Sequence, residues 1–314
     1  MMNINVNDRI EKQPVVVRQI SKKTSQTNKE YYDLQVSYGI KNYNAKIWNN
    51  NPDISNEITP GCIAYIWGIA RDFKGIIQIH INNIEKIENP DEELLSQVMP
   101  CCQQNEAKLQ KKVKEIISSI KNEYLNSLLN EVFEIPYIKE NFFKKAAGAE
   151  IHHAYVGGLA QHTIEVTEIV IQLCNIYSYI NYDIAVTSAL LHDIGKTIEL
   201  SKFPENKYTD KGRLLGHIAL GVEILNEAAS KIEGFPQDLK LELEHCILSH
   251  HGTLEMGSPV VPMTLEAIAL HNADKASADI NGFYLAIQRD TGKDNWTDYN
   301  STYRRFIKKS KDNI

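Results

Sequence analysis

The chain has 314 residues and a net charge of −6 at pH 7, with 43% hydrophobic and 24% charged residues. This composition is typical of a soluble globular protein of one or two domains, and it excludes a strongly basic nucleic-acid-binding surface over the whole chain. No apolar run approaches the roughly 18 residues of a membrane helix, and the N-terminus is polar, so we expect neither membrane contact nor secretion. Five cysteines without a C-x-x-C pair favour a reducing, cytoplasmic setting.

Residues 1–88 predict a small all-β domain. Segments such as PVVVRQI and YYDLQVSYGI are rich in β-branched and aromatic residues, alternate partially between apolar and polar positions, and are followed by turns. Five short strands of this kind predict a closed barrel of the OB type, with any other small β-sheet domain as the alternative.

The sequence pattern changes after residue 88. Asn89-Pro90-Asp91 is a helix start signal, and residues 89–134 predict a polar helical connector that packs on the domain after it. Residues 135–290 predict an all-α bundle. Residues 291–314 are a polar and basic C-terminal tail, for which we expect a solvated end, with contact to a phosphate backbone as the alternative.

Histidine is concentrated in the predicted helical bundle, since only His80 of the ten histidines precedes residue 150. Histidine is the commonest side-chain metal ligand. The segment SALLHDIGKTIEL places His192 and Asp193 side by side at the end of an apolar helix. Adjacent residues inside a helix project about 100° apart. At a helix end both can turn toward one cation, and Gly195 would let the backbone leave the helix.

Further imidazoles and carboxylates fall on other predicted helices of the bundle, at His162, His217, His250 and Asp274. One such residue on an apolar helix face is usually a hydrogen-bonded core residue. Several in one domain would each need a partner, and a shared metal site would satisfy them together. The mixed imidazole and carboxylate set, without thiolate, fits manganese, iron or a similar divalent ion better than structural zinc.

Four passages carry a family resemblance: IHHAYVGGLAQHT, ALLHDIGKTIEL, GRLLGHI and LSHHGTLEMGSPVVPMTLEAIALHNADKASA. In the order H…HD…H…H…D they resemble the HD-domain superfamily of metal-dependent phosphohydrolases, and within it the YhaM-type 3′-5′ exoribonucleases. Those enzymes join an N-terminal OB fold to an HD domain. The resemblance implies a two-domain protein, with an OB-fold nucleic-acid-binding domain at 1–88 and a helical HD domain at 135–290.

The resemblance also implies roles for individual residues. Ligands of a first metal are implied at four positions, His162, His192, Asp193 and Asp274. Asp193 would bridge to a second metal, which is held by His217 and His250. Lys196 would face the substrate phosphate, so Asp193 and Lys196 are the expected catalytic residues.

Two histidines and the metal itself stay open. His251 could take the place of His250 as a ligand, or it could face the substrate. His153 is expected near the rim of the active site, in contact with the substrate. The resemblance favours manganese, with iron, cobalt and magnesium as alternatives, and two ions per site are expected.

The implied reaction is hydrolysis of single-stranded RNA, with DNA as an alternative, from the 3′ end to nucleoside 5′-monophosphates by a metal-activated water. In the barrel, exposed aromatic rings would stack on bases and cations would contact phosphates. The candidates are Lys46, Trp48, Trp67 and Arg71. Two alternatives remain: an HD phosphohydrolase of small nucleotides or cyclic dinucleotides with a regulatory barrel, and a non-catalytic nucleic-acid-binding protein. A homo-oligomer is compatible with each of them.

Overall fold

The computed structural model describes residues 4–48, 54, 57–73, 75–99, 102, 105–148, 153–290 and 294–309. Contacts divide the chain into two compact units. The first comprises residues 1–101, 203–205 and 283–314, and the second comprises residues 102–202 and 206–282. Among the described helices, none combines the length and the apolar character of a membrane span.

The N-terminal part of the chain is a closed five-stranded barrel. Its strands are β1 (Arg9–Thr24), β2 (Glu30–Tyr38), β3 (Lys41–Trp48), β4 (Ile63–Phe73) and β5 (Ile76–Lys86). They are joined in the order β1-β2-β3-β5-β4, and β1 pairs with β4 to close the sheet. All pairs are antiparallel except β3 with β5. The predicted OB-like barrel is therefore confirmed.

The barrel closes because β1 is long and bent. Register shifts between Ile10 and Gln13 and between Val17 and Gln19 let this one strand pair with β4 and then with β2. Gly68 in β4 allows a close approach to β5, because an added Cβ would lie 2.2 Å from the carbonyl oxygen of His80. Alternate residues of the strands fill the barrel core, among them Val15, Val17, Leu34, Val36, Ala45 and Ile66.

Helices follow the barrel, as the sequence predicts. Within the described residues they are α1 (Glu92–Val98), α2 (Glu106–Ser119), α3 (Glu123–Glu134), α4 (Pro136–Asn141), α5 (Gly158–Ile176), α6 (Tyr182–Leu191), α7 (Lys196–Glu199), α8 (Asp210–Ala229), α9 (Gln237–Ser249) and α10 (Leu265–Arg289). Side-chain caps fix several of their starts. Asn105, Asn122 and Asn181 accept hydrogen bonds from the first turns of α2, α3 and α6.

One apolar core holds the helical unit together. On α2 the buried residues Leu109, Val113, Ile116 and Ile117 recur at helical spacing and join the same cluster as α3, α5, α6 and α9. Helix α6 is buried along nearly its whole length, from Ile184 to Leu191. The residues that follow α6 therefore start from a fixed position inside the bundle.

Residues 294–309 form a short antiparallel hairpin after α10. Its isolated bridges pair Trp296 with Lys308 and Asn300 with Arg305. Residues 310–314, the end of the predicted tail, lie outside the described part of the chain.

Candidate metal centre

Six side chains that lie on, or directly after, five helices of the second unit converge on one region. His162 lies on α5, and His192 and Asp193 follow the last residue of α6. His217 lies within α8, directly after a break at Gly216, whose φ is 73°. His250 follows α9 and Asp274 lies on α10. His162, His192, Asp193 and His250 are buried, so the meeting point lies inside the helical unit.

One oxygen of Asp193 faces a first pair of imidazoles. Asp193 Oδ2 lies 3.4 Å from both His162 Nε2 and His192 Nε2. The two Nε2 atoms are 3.3 Å apart, and His162 Nε2 lies 3.0 Å from Asp274 Oδ1. The four residues implied as ligands of the first metal are thus brought together.

The other oxygen of Asp193 faces a second pair of imidazoles. Asp193 Oδ1 lies 3.5 Å from His217 Nε2 and 3.7 Å from His250 Nε2. These three atoms are buried and make no hydrogen bond within the described structure. Burying polar atoms in this way is costly unless something coordinates them. Their common direction and their chemistry fit a divalent cation, which would accept lone pairs from all three.

The backs of the rings are held by hydrogen bonds at Nδ1. His192 Nδ1 lies 2.8 Å from the carbonyl oxygen of Ala189, and His250 Nδ1 lies 2.7 Å from that of Ile247. A carbonyl can only accept, so both rings carry their proton on Nδ1 and present an Nε2 lone pair to the centre. Such partners behind the ligands are typical of metal sites.

Charged partners behind two further rings were not found from the sequence. Glu199 Oε1 accepts from the backbone nitrogen of His217 at 2.9 Å and lies 3.0 Å from its Nδ1. His162 Nδ1 lies 3.1 Å from Ser277 Oγ, which donates to Glu165 Oε2 at 3.0 Å. The only sequence signals are short spacings, since Glu199 is three residues after Lys196 and Glu165 is three residues after His162.

The electrostatics of the cluster favour a positive charge at its centre. Burial lowers the pKa of His162, but the Asp193 and Asp274 carboxylates outweigh burial and raise it to about 9. Burial alone would raise the pKa of Asp193, yet Lys196 and the neighbouring imidazoles hold it well below its usual range. Burial holds the pKa of His250 well below its usual value, so this ring stays neutral and able to coordinate.

Lys196 and Asp193 form a buried ion pair. Lys196 lies one turn after Asp193, and its Nζ donates to Asp193 Oδ2 at 2.7 Å. Burial lowers the pKa of Lys196, but Asp193 outweighs burial and raises it, so the ammonium stays charged. The turn is compact because Gly195 lies against α8, where an added Cβ would be 2.0 Å from the carbonyl oxygen of His217.

The two histidines that the sequence left open have different surroundings. His251 lies beside the second pair, with ring centroids 4.4 Å from His250 and 5.1 Å from His217, and its Nδ1 is 3.0 Å from the carbonyl oxygen of Met256. His153 is fully buried, with Nε2 2.9 Å from Glu165 Oε2. Glu165 also accepts from Ser277, which contacts His162, so the position of His153 favours indirect support of the His162 ring. Contact of His153 with the substrate stays a prediction.

The barrel residues proposed to bind the strand fall into two groups within the first unit. Lys46 Nζ lies over the rings of Tyr31, Trp48 and Phe73, at 4.8, 5.6 and 5.4 Å from their centroids. Arg71 is exposed on β4. Burial lowers the pKa of His80, and the positive charges of Arg71 and Lys46 lower it further. Trp67 instead contacts Tyr65, with ring centroids 6.4 Å apart.

Comparison with known proteins agrees with this centre. Residues 159–279 match the family described as "HD domain". This segment is an HD domain. It contains all six converging residues, and it begins within α5 and ends within α10.

One relative matches most of the chain. It is described as "3′-5′ exoribonuclease YhaM" from Geobacillus sp. (strain WCH70), and it is 28% identical over 275 residues, which are 88% of this chain and 84% of the relative. Together with the HD domain, this similarity confirms the prediction of a hydrolase that acts on phosphoester bonds.

A solved structure matches a smaller part of the chain. The solution NMR structure of the second OB-fold domain of replication protein A from Methanococcus maripaludis is 18% identical, covers 28% of this chain and 91% of its own, and has a TM-score of 0.21. The OB-like topology described above stands on the strand order alone.

Proposed function

We propose that the protein is a metal-dependent 3′-5′ exoribonuclease that shortens single-stranded RNA, with DNA as an alternative substrate, and releases nucleoside 5′-monophosphates. The observation that carries the proposal is the position of Asp193 between two imidazole pairs, with one carboxylate oxygen facing each pair. The similarity to an exoribonuclease over 88% of the chain favours a polynucleotide over a small nucleotide as substrate.

The proposed cofactor is a pair of divalent cations, with manganese favoured. His162, His192, Asp193 and Asp274 would hold one ion, and Asp193, His217 and His250 the other. Mixed imidazole and carboxylate donors without thiolate suit such ions. When bound, the cations would act as Lewis acids that polarise the phosphate and activate water for attack.

The chain's own residues would orient and charge this site. The hydrogen bonds at Nδ1 fix the rings, so no reorganisation is needed when a substrate arrives. The Lys196 ammonium, held 2.7 Å from Asp193, adds a positive charge where the scissile phosphate would approach. The centre's side chains are largely buried, which would limit access of bulk water and strengthen the electrostatic interactions there.

The barrel would bind the strand and leave the chemistry to the HD domain. We assign strand binding to residues 1–88, a connecting role to 89–134 and hydrolysis to 135–290. The Tyr31 and Trp48 rings stack at 4.8 Å with an interplanar angle of 27°, and Lys46 lies over both. A paired aromatic surface with an adjacent cation suits a base and its phosphate. Cys62, Cys174 and Cys246 are free thiols, which favours a reducing, cytoplasmic setting.

The test is a cleavage assay on a 5′-labelled oligoribonucleotide with manganese. We expect a ladder that shortens from the 3′ end and nucleoside 5′-monophosphates as products. Asp193→Asn should lower the cleavage rate by at least about a hundredfold, because a neutral amide no longer places a negatively charged oxygen beside each imidazole pair. Asp279→Asn is the matched control, since Asp279 pairs with Lys275 on the surface of α10.

Two results would contradict the proposal. Turnover of small nucleotides with the oligoribonucleotide left intact would favour the small-nucleotide phosphohydrolase instead. Full cleavage by a folded Asp193→Asn protein would remove the mechanism.

A further inference from the structure

The C-terminal hairpin, residues 294–309, is a defined element of the first unit. Its strands are joined by backbone hydrogen bonds from Thr297 N to Ile307 O at 2.9 Å and from Lys309 N to Asn295 O at 2.8 Å. At the turn, Asn300 N donates to Arg305 O at 2.9 Å. A two-stranded hairpin of this size is marginal by itself, so its order depends on what anchors it.

The end of α10 anchors the inner side of the hairpin. The Asp290 carboxylate accepts hydrogen bonds from Lys309 Nζ and, at 3.0 Å, from the backbone nitrogen of Asp298. Ile307 is buried, and the Tyr303 ring packs against Phe283 with centroids 4.7 Å apart. One face of the hairpin is therefore fixed to the end of α10, and the opposite face points outward.

The outward face carries three large aromatic side chains. Trp296, Tyr299 and Phe306 are 52%, 56% and 59% exposed. The rings of Tyr299 and Phe306 meet edge to face, with centroids 5.4 Å apart. Clustered exposed rings of this size usually mark a binding surface, because burying them against a partner is favourable.

Cations are interleaved with these rings. Lys308 lies directly opposite Trp296 in the ladder, and it is exposed. Arg304 and Arg305, also exposed, occupy the turn, which is tight because Arg304 has a φ of 52° and Asn300 Oδ1 accepts from Tyr303 N at 3.0 Å. The hairpin thus presents aromatic faces flanked by three positive charges in a chain of net charge −6.

We propose that the C-terminal hairpin is a second binding surface for a single-stranded polynucleotide, separate from the barrel face around Lys46. Trp296, Tyr299 and Phe306 would stack on bases, while Arg304, Arg305 and Lys308 contact phosphates. The inference rests on the proposed function, because it concerns the same substrate class. An isologous contact between two copies is disfavoured, since it would bury the cations of both copies in one interface.

The test is fluorescence anisotropy with 5′-fluorescein oligo(U) and oligo(dT) of 24 nucleotides, in EDTA so that no cleavage occurs. Trp296→Ala should weaken oligo(U) binding about tenfold, which is the effect expected for one stacked base. Trp296→Phe, which keeps an aromatic face, should recover most of the affinity. Weaker binding of oligo(U) alone would identify RNA as the bound strand, and weaker binding of both would extend the surface to DNA.

The charge contribution has its own readout in the salt dependence. Arg304→Ala/Arg305→Ala should reduce the slope of log K against log salt concentration by about 1.4, or about 0.7 for each phosphate of a single strand that is no longer neutralised. The matched controls are Tyr179→Ala, an aromatic residue that is 67% exposed, and Lys139→Ala/Lys231→Ala, two exposed cations of the helical unit. These controls should keep the affinity within about twofold of wild type and the salt slope within about 0.3 of it.

Two outcomes would overturn the inference. Hairpin variants with wild-type affinity and salt slope would exclude the binding surface. A change in sedimentation mass of Trp296→Ala with unaltered oligonucleotide binding would make the hairpin a protein interface. Failure of the proposed function would look different, as a wild-type protein that leaves RNA intact in manganese.

Discussion

Asp193 is the residue on which the candidate centre is built. Its position directly after α6, which is buried from Ile184 to Leu191, fixes both carboxylate oxygens. Each oxygen faces a different imidazole pair. Its charge is balanced by Lys196 and by the proton that the carboxylates hold on His162. A divalent cation would replace that proton with a larger charge at the same place, which is why the cluster suits a metal better than a simple ion-pair network.

Glu199 offers the sharpest test at the scale of one residue. It does not face the centre, but it holds both the backbone nitrogen and the Nδ1 of His217. Glu199→Ala should weaken manganese binding about 10- to 100-fold, because the ring loses the partner that orients it. Glu199→Gln, which keeps an oxygen acceptor, should have a smaller effect.

Calorimetric titration of manganese measures this effect. Glu223→Ala is the control, since Glu223 is a surface acid of α8 that pairs with Lys211. Equal affinity of Glu199→Ala and wild type would show that the carboxylate has no part in orienting His217.

At the scale of elements, the centre depends on how closely the turn around α7 packs against α8. Gly195 has a φ of −62°, which any residue can adopt, so the position needs glycine for its lack of a side chain and not for its backbone conformation. Lys145 supports the same turn, because its buried ammonium donates to the carbonyl oxygens of Thr197 and Leu200. The short helix α7 is therefore held by residues far apart in sequence.

Gly195→Ala tests this packing directly. The added Cβ would lie 2.0 Å from the carbonyl oxygen of His217, which is backbone and cannot move without shifting α8. We expect a decrease of about 1–3 kcal/mol in the free energy of unfolding, as for other overpacked sites, together with weaker manganese binding. Urea denaturation measures the first quantity.

Gly221→Ala is a matched control on the same helix interface. Its Cβ would meet the end of the Ile247 side chain at 3.3 Å, a close approach that a side chain can relieve. A Gly195→Ala protein as stable as Gly221→Ala would mean that α7 and α8 are not closely packed.

At the scale of the whole molecule, the sequence predicted the elements that have a regular apolar period or a dense motif of metal-ligating residues. The barrel strands alternate, α2 repeats its apolar residues at helical spacing, and the motif around His192 and Asp193 indicates the centre. The resemblance supplied the distant partners His162 and Asp274, which no local pattern links. The structure brings His162 Nε2 within 3.0 Å of Asp274 Oδ1.

The remaining features depend on tertiary packing that leaves no periodic signal. Glu165 and Glu199 resemble ordinary surface acids until the fold places them behind His162 and His217. The hairpin at 294–309 is short and polar in composition, and its order comes from Asp290 and a few buried side chains. Spacing along the chain predicts neither feature, because the partners are chosen by the folded structure.

The central claim is that distant helices assemble a two-cation centre around Asp193. Anomalous diffraction at the manganese edge, on crystals of the full chain grown with manganese, tests it most directly. We expect two anomalous peaks, one beside each carboxylate oxygen of Asp193, and the absence of both in Asp193→Asn crystals. A map with no peak beside Asp193, or with manganese bound only elsewhere, would contradict the account.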